Sequence, residues 1–107
     1  MWLMTLQGYY SVVADRDRPD KLLVRARTRE DIEALRRQIP ELEPWEDRSA
    51  DYRWRASVSR AQLIVAMTLL IDEIDYPNFK SAVAERGDHE RANLYSRLWG
   101  QLLSLQR

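Results

Sequence analysis

Two short segments of the chain alternate apolar residues with arginine, over residues 22–27 and 52–58. Successive side chains of a β-strand point to opposite faces of the sheet. Each segment is therefore predicted to be a strand with one apolar face and one arginine-bearing face. The face directed to the core is predicted to hold Val24, Ala26, Tyr52, Trp54, Ala56 and Val58, and the opposite face Arg25, Arg27, Arg53 and Arg55.

Two further strands are predicted near the N-terminus, over residues 2–5 and 9–14, separated by Gln7-Gly8. The second of them is expected to run antiparallel to residues 22–27. Residues 40–51 contain two prolines and five acidic residues against one basic residue, which is typical of a connecting loop.

Helical spacing of apolar residues predicts four helices. The first follows Thr28 as its N-cap and ends at Pro40. The second begins with a capping box, Ser59 and Gln62, and is apolar on almost all sides, so it is expected to be buried on more than one side. A short helix with Pro77 at its first position and a longer helix capped by Asp88 complete the chain.

The order of these elements predicts an α+β fold: a mainly antiparallel four-stranded sheet with three to four helices packed on one face. The strand–helix–strand unit over residues 22–58 resembles half of a ferredoxin-like sandwich, which is a likeness of architecture and implies no function. A length of 107 residues predicts a single domain over residues 1–107.

Composition limits the classes of partner. The net charge is zero, with 17 basic and 17 acidic side chains, so nothing attracts the chain as a whole to nucleic acid or membrane. Fifteen of the basic residues are arginine; codon bias explains that surplus better than function does, but it does not explain the alternation in the strands. The absence of cysteine excludes disulfides and thiolate metal sites. With no signal peptide or membrane-spanning run expected, the predicted location is cytoplasmic.

The arginine-bearing face is the predicted ligand site. Its candidate residues are Arg25, Arg27, Arg53 and Arg55, which supply charge and forked donors, with Ser11 and Tyr9, which supply hydroxyl groups. Such a face suits a phosphate, a nucleotide or single-stranded nucleic acid, although zero net charge does not favour nucleic acid. The alternatives are that these arginines pair with acidic residues of the 40–51 loop or of the helices, face solvent, or form a dimer seam. Whether the two arginine pairs act together depends on whether their strands are neighbours.

Other candidate chemistry is weaker. His89, the only histidine, would be a general base only with a partner that no recognisable spacing supplies. The acidic residues around Asp75 fit no calcium loop, and phosphate-loop and catalytic-serine motifs are absent from the sequence. No metal and no cofactor is therefore predicted.

The positions of the tryptophans and the apolar surface of the helices indicate where a protein partner could bind. Trp2, Trp54 and Trp99 fall at apolar-periodic positions and are expected in the core. Trp45, in the acidic loop, is either tucked over the core edge or an anchor for a partner. Two helices carry more apolar surface than a four-stranded sheet covers, which predicts a homodimer.

Three stretches, residues 1–13 (MWLMTLQGYYSVV), 74–80 (IDYPNFK) and 95–99 (YSRLW), resemble a family of small uncharacterised bacterial proteins of about this length, a domain of unknown function. The resemblance covers nearly the whole chain. It implies a stand-alone bacterial cytosolic domain and carries over no catalytic role.

The sequence therefore favours a non-enzymatic binding or interaction module whose arginine-bearing face takes an anionic small molecule or protein partner. The first alternative is a small enzyme acting on a phosphorylated or carboxylated metabolite, with Asp75 or His89 as acid/base. The second is a structural or regulatory subunit that uses the sheet face as a protein interface.

Overall fold

Five strands form one antiparallel sheet in the order β1-β2-β3-β5-β4. The computed structural model describes residues 1–106, and the sheet belongs to the first of two units, Met1–Ile74. The strands are β1 (Trp2–Met4), β2 (Tyr9–Ala14), β3 (Lys21–Ala26), β4 (Trp45–Glu46) and β5 (Trp54–Ser59).

The α+β class and the antiparallel sheet are confirmed, with one strand more than expected. The additional strand, β4, lies in the segment predicted to be a loop. It has two residues only, too short for an alternating pattern to show, and it forms the outer edge of the sheet beside β5. Its end is held by the N–H of Asp47, which donates to the carbonyl of Arg53 at 2.7 Å.

β3 and β5 are direct antiparallel neighbours, although a helix separates them in the chain. Val24 lies opposite Ala56, and Arg25 lies opposite Arg55. The two arginine-bearing strands are therefore adjacent, with no strand between them. The ferredoxin-like likeness of this unit is not confirmed.

Two helices of this unit pack on one face of the sheet. They are α1 (Arg29–Ala34), followed by a 3₁₀ turn at Leu35–Arg37, and α2 (Arg60–Asp72). The predicted caps are present: Thr28 Oγ1 accepts from the N–H of Asp31 at 3.1 Å, and Ser59 and Gln62 form both hydrogen bonds of the capping box.

The core lies between these helices and the apolar face of the sheet. Tyr10 and Val12 of β2 point into it, as do the alternating apolar residues of β3 and β5. Burial of this face fixes the register, because a slip by one residue would turn every side chain to the other face. The buried cluster comprises Tyr10, Val12, Val24, Ala26, Ile32, Leu35, Ile39, Leu42, Ala56, Val58, Leu63 and Ala66.

The second unit begins at Asp75 and contains α3 (Phe79–Glu85) and α4 (His89–Leu102), which is followed by a 3₁₀ turn at Leu103–Leu105. Asn78 caps α3 by accepting from the N–H of Ser81 at 2.9 Å, so Pro77 precedes the cap and is not the first helical residue as predicted. Asp88 caps α4, as expected. Phe79 stacks on Tyr95 with ring centres 5.8 Å apart.

Candidate functional site: the arginine-bearing face of the sheet

One row of residues crosses all five strands on the face opposite the core. Trp2 lies opposite Ser11, Ser11 opposite Arg25, Arg25 opposite Arg55, and Arg55 opposite Trp45. Directly opposed residues of a sheet share a face. These five residues, called here the cross-strand row, therefore place two arginines at the centre of the sheet and one tryptophan at each edge.

Arg25 and Arg55 are like charges opposed on neighbouring strands, an arrangement that destabilises a sheet. Within residues 1–106, neither guanidinium has a carboxylate oxygen within 4.0 Å. Asp47 lies near enough to Arg55 for the arginine charge to affect the pKa of its carboxylate. Hydrogen bonds from Ser49 and, to a smaller extent, the charge of Arg55 hold the pKa of Asp47 below its ordinary value. The central arginine pair thus has no protein counter-ion in contact with it.

Arg25 is held in place by two groups. Its Nη2 donates to Ser11 Oγ at 2.7 Å, and its guanidinium lies over the ring of Tyr52 at 4.7 Å from the ring centre. Its Nε–H is buried and has no hydrogen-bond acceptor. Among the described residues, no other buried side-chain nitrogen or oxygen lacks a hydrogen-bond partner. A buried donor without an acceptor costs about 1–3 kcal/mol. The guanidinium of Arg25 is therefore fixed but incompletely satisfied.

Tyr52 is buried as predicted, with 5% of the residue exposed, but it packs against the arginines of the arginine-bearing face and lies outside the main core cluster. The guanidinium of Arg27 lies 4.0 Å from the centre of its ring, and the ring of Tyr9 stacks against it at 6.5 Å. Its carbonyl accepts from Arg55 Nε at 3.2 Å. The alternation failed here because β5 begins at Trp54, so residue 52 lies outside the strand.

Arg27 and Arg53 differ in how far they are neutralised. Arg53 pairs with Glu46 at 3.0 Å, and Arg48 pairs with the same carboxylate at 2.9 Å. Pairing with the acidic segment is thus what the structure shows for Arg53. Arg27 donates from Nη1 to the backbone carbonyl of Asp51 at 2.6 Å and has no carboxylate partner among the described residues. In the described part of the chain, Arg25, Arg27 and Arg55 are the three arginines of this face without an ion pair.

The two predicted hydroxyl residues hold other side chains. Ser11 has 0% of its surface exposed, and its Oγ accepts from Arg25. The hydroxyl of Tyr9 shares a hydrogen bond of 3.3 Å with the hydroxyl of Tyr52. Both residues therefore position the site, Ser11 by fixing Arg25 and Tyr9 by supporting Tyr52.

A buried carboxylate lies at the other end of this face, and sequence reasoning missed it. The side chain of Asp15 is 3% exposed and accepts from Ser57 Oγ at 2.8 Å, from the N–H of Asp17 at 3.0 Å and from Arg18 at 3.3 Å. Burial raises the pKa of Asp15, but these hydrogen bonds outweigh burial and hold it below its ordinary value. No sequence signal joined Asp15 to Ser57, because their pairing depends on the order of the strands.

Two tryptophans are exposed at the edges of the sheet. Trp2 is 74% exposed, so its expected place in the core is wrong; it lies opposite Ser11 and belongs to the arginine-bearing face. Trp45 is 36% exposed and lies on the edge strand under the guanidinium of Arg18, 5.2 Å from its ring centre. Trp54 packs against the core as expected, whereas Trp99, in the second unit, is exposed with Lys80 over its ring at 3.5 Å.

The other candidates gain no partner from the structure. His89 is exposed in the first turn of α4, and Asp75 is exposed in a segment without regular structure. In residues 1–106, no group of three or more histidine or acidic side chains is placed to hold a metal ion. An apolar groove of about 640 Å³ runs between β2 and α2, lined by residues that include Val12, Leu63 and Met67.

Comparison with known proteins gives no relative: no family model, no curated protein and no solved structure matches the chain. In the part of the chain described, no helix has the length and apolar character needed to cross a membrane. The geometry of the arginine-bearing face is therefore the basis for a functional proposal.

Proposed function

We propose that the first unit is a non-enzymatic binding module whose arginine-bearing face takes an anionic ligand with phosphate or carboxylate oxygens. The observation that carries the proposal is the opposed pair Arg25 and Arg55, central in the sheet and without a carboxylate partner among residues 1–106. An anion bound between the two guanidinium groups would attract both of them and so offset their mutual repulsion.

Preorganisation of the guanidinium groups supports this function. Ser11 and Tyr52 fix Arg25, and the Tyr52 carbonyl fixes Arg55. Long side chains that are already ordered lose less conformational entropy when they bind a ligand. Guanidinium groups bind phosphate and carboxylate through two parallel hydrogen bonds, so a fixed orientation favours planar or tetrahedral oxyanions over chloride.

The first test is a thermal-shift screen of the full chain at low salt with inorganic pyrophosphate, nucleotides, phosphosugars, carboxylates and short oligonucleotides. A ligand at 100 times its dissociation constant stabilises the folded state by about 2.7 kcal/mol. For a chain of this size that free energy raises Tm by roughly 10 °C or more. A flat result over all ligand classes would overturn the proposal.

The second test assigns the effect to the arginines. Arg25→Gln with Arg55→Gln removes both charges and keeps side chains of similar length, and isothermal titration with pyrophosphate measures the loss. Hydrogen bonds to charged groups contribute about 1.5–3 kcal/mol each, so affinity is expected to fall at least about a hundredfold. Arg36→Gln with Arg48→Gln is the matched control, because both residues are exposed and paired with glutamates. Equal losses in the two double variants would show a nonspecific charge effect.

The two alternatives predict other results. The enzyme alternative requires that Asp75→Ala or His89→Ala remove a measurable turnover without loss of stability. The interface alternative draws on the exposed tryptophans of the same face, since tryptophan and arginine are common at the centres of protein interfaces. It requires an oligomer that dissociates when Arg25 and Arg55 are changed.

Five expectations from the sequence stay predictions beside this proposal. They are the bacterial family resemblance, a cytoplasmic location, a homodimer, a single domain over residues 1–107 and the ferredoxin-like part of the architecture. The proposal itself needs none of them, because every residue that carries it lies within Met1–Ile74.

A further inference from the structure

Each end of the cross-strand row is an exposed indole ring. Trp2 is held by its neighbour Met1, whose amino group donates to the Val12 carbonyl and whose carbonyl accepts from the Val12 N–H, both at 2.8 Å. Its ring meets the ring of Tyr9 edge to face at 6.3 Å and leaves 74% of the residue exposed. The backbone of Trp2 is thus fixed while its ring stays open.

Trp45 matches it at the opposite edge. The guanidinium of Arg18 covers one face of its ring at 5.2 Å, and 36% of the residue is exposed. Four strand spacings of about 4.8 Å separate the ends of the row, so the two tryptophan backbones are about 19 Å apart. A single small molecule of mononucleotide size does not reach both rings and the central arginines.

The order of groups along the row is ring, hydroxyl, guanidinium, guanidinium, ring. Guanidinium groups bind phosphates, and indole rings stack on bases irrespective of sequence. A ligand that spans the row and presents both groups has phosphates within a chain and planar rings along it. Duplex nucleic acid keeps its bases stacked inside, so its rings are not available to Trp2 and Trp45.

We propose that the cross-strand row binds a short single-stranded nucleic acid, with phosphates on Arg25 and Arg55 and bases stacked on Trp2 and Trp45. This inference rests on the proposed function, because it uses the same two arginines. What favours nucleic acid over a protein partner is the pair of central cations, which have no carboxylate beside them in the residues that the structure describes. Zero net charge makes the binding local: with Arg25 and Arg55 as the two phosphate contacts, log K falls with log salt concentration with a slope of about −1.4.

The test uses fluorescence anisotropy of the full chain with a labelled eight-nucleotide oligothymidylate at low salt. An abasic strand of the same length carries the same phosphates without rings. The oligothymidylate is expected to bind at least about tenfold more tightly than the abasic strand, since stacking contributes measurably for each base. A hairpin duplex of equal charge is expected to bind weakly.

Variants of the two tryptophans test whether their rings stack on the bases. Trp2→Ala and Trp45→Ala are each expected to weaken oligothymidylate binding about tenfold and to leave pyrophosphate binding unchanged. Trp2→Phe and Trp45→Phe retain a ring and are expected to retain most of the affinity. Trp99→Ala is the matched control, because this tryptophan is exposed in the second unit.

The outcomes separate the two proposals. Pyrophosphate binding without oligothymidylate binding overturns the nucleic-acid inference and leaves the anion site intact. Absence of both overturns both. An abasic strand or a duplex that binds as tightly as the oligothymidylate also overturns the inference, and this comparison needs only the unchanged chain, so it holds even if an alanine variant fails to fold.

Discussion

Replacing Tyr52 with leucine should destabilise the chain far more than removing the hydroxyl alone. Two guanidinium groups lie against the Tyr52 ring, that of Arg27 at 4.0 Å and that of Arg25 at 4.7 Å from its centre. It also stacks on the ring of Tyr9 and lies on the face opposite the core. Leucine keeps an apolar side chain but removes the π surface that these neighbours use.

The magnitude follows from the interactions that the Tyr52 ring makes and leucine cannot make. Two cation–π interactions contribute about 0.5–1 kcal/mol each at partly exposed sites. The stacked pair with Tyr9 adds about 0.5–1.5 kcal/mol beyond area burial. The free energy of unfolding of Tyr52→Leu is therefore expected to be lower by about 1.5–3.5 kcal/mol. Tyr52→Phe removes only the hydroxyl group that bonds to Tyr9 and is expected to cost about 1 kcal/mol or less.

Urea denaturation followed by tryptophan fluorescence measures both variants, with the slope of the transition compared to confirm that unfolding stays two-state. The anion affinity of Tyr52→Leu should fall as well, because Arg25 and Arg27 lose the surface that orders them. If Tyr52→Leu and Tyr52→Phe cost the same free energy, the ring does not hold the guanidinium groups and the account of the site is wrong.

Three further predictions concern the fold and its assembly. Gly8→Ala should lower the free energy of unfolding in urea by about 1–3 kcal/mol, because a Cβ at this position would lie 2.9 Å from Asp31 Cγ; an unchanged midpoint would contradict this. The pKa of Asp15 is lower in the folded chain than in the unfolded chain, so its ionised carboxylate stabilises the fold above about pH 4, and this stabilisation is lost as pH falls through the folded pKa. The difference in free energy of unfolding between the unchanged chain and Asp15→Asn, measured by urea titration, should therefore become smaller in acid. A difference that stays constant with pH would refute this role of Asp15. The exposed apolar side chains of α2 predict a homodimer by sedimentation equilibrium, weakened by Ile64→Glu; a monomer mass at every concentration would count against it.

The fold was predictable where a long pattern and its capping residues agree. Alternation over residues 22–27 and 52–58 predicted the two central strands, observed at Lys21–Ala26 and Trp54–Ser59, and the faces of the side chains within them, because burial of one face leaves a period of two in the sequence. The capping box at Ser59 fixed the start of α2. The edge strand β4 was not predictable, since two residues carry no period and its pairing comes from the neighbouring strand.

The candidate site was predictable in part. The alternation supplied Arg25 and Arg55, but their direct opposition depends on strand order, which local patterns do not encode. Tyr52 and Trp2 were assigned to the core because hydrophobicity alone does not show what an aromatic ring packs against. The Tyr52 ring packs against guanidinium groups, and the Trp2 ring is exposed at the edge of the sheet. Arg53 was grouped with the site although its charge is neutralised by Glu46, a partner that β4 brings to it.

The most direct test of the central claim is the ¹H–¹⁵N NMR spectrum of the arginine Nε–H groups during titration with inorganic pyrophosphate at constant ionic strength. The account predicts that the signals of Arg25 and Arg55 shift together and saturate with one dissociation constant. Exposed, paired arginines such as Arg36 should move little. Shifts of equal size at all arginines without saturation, or no shift at Arg25 and Arg55, would contradict an anion site on this face.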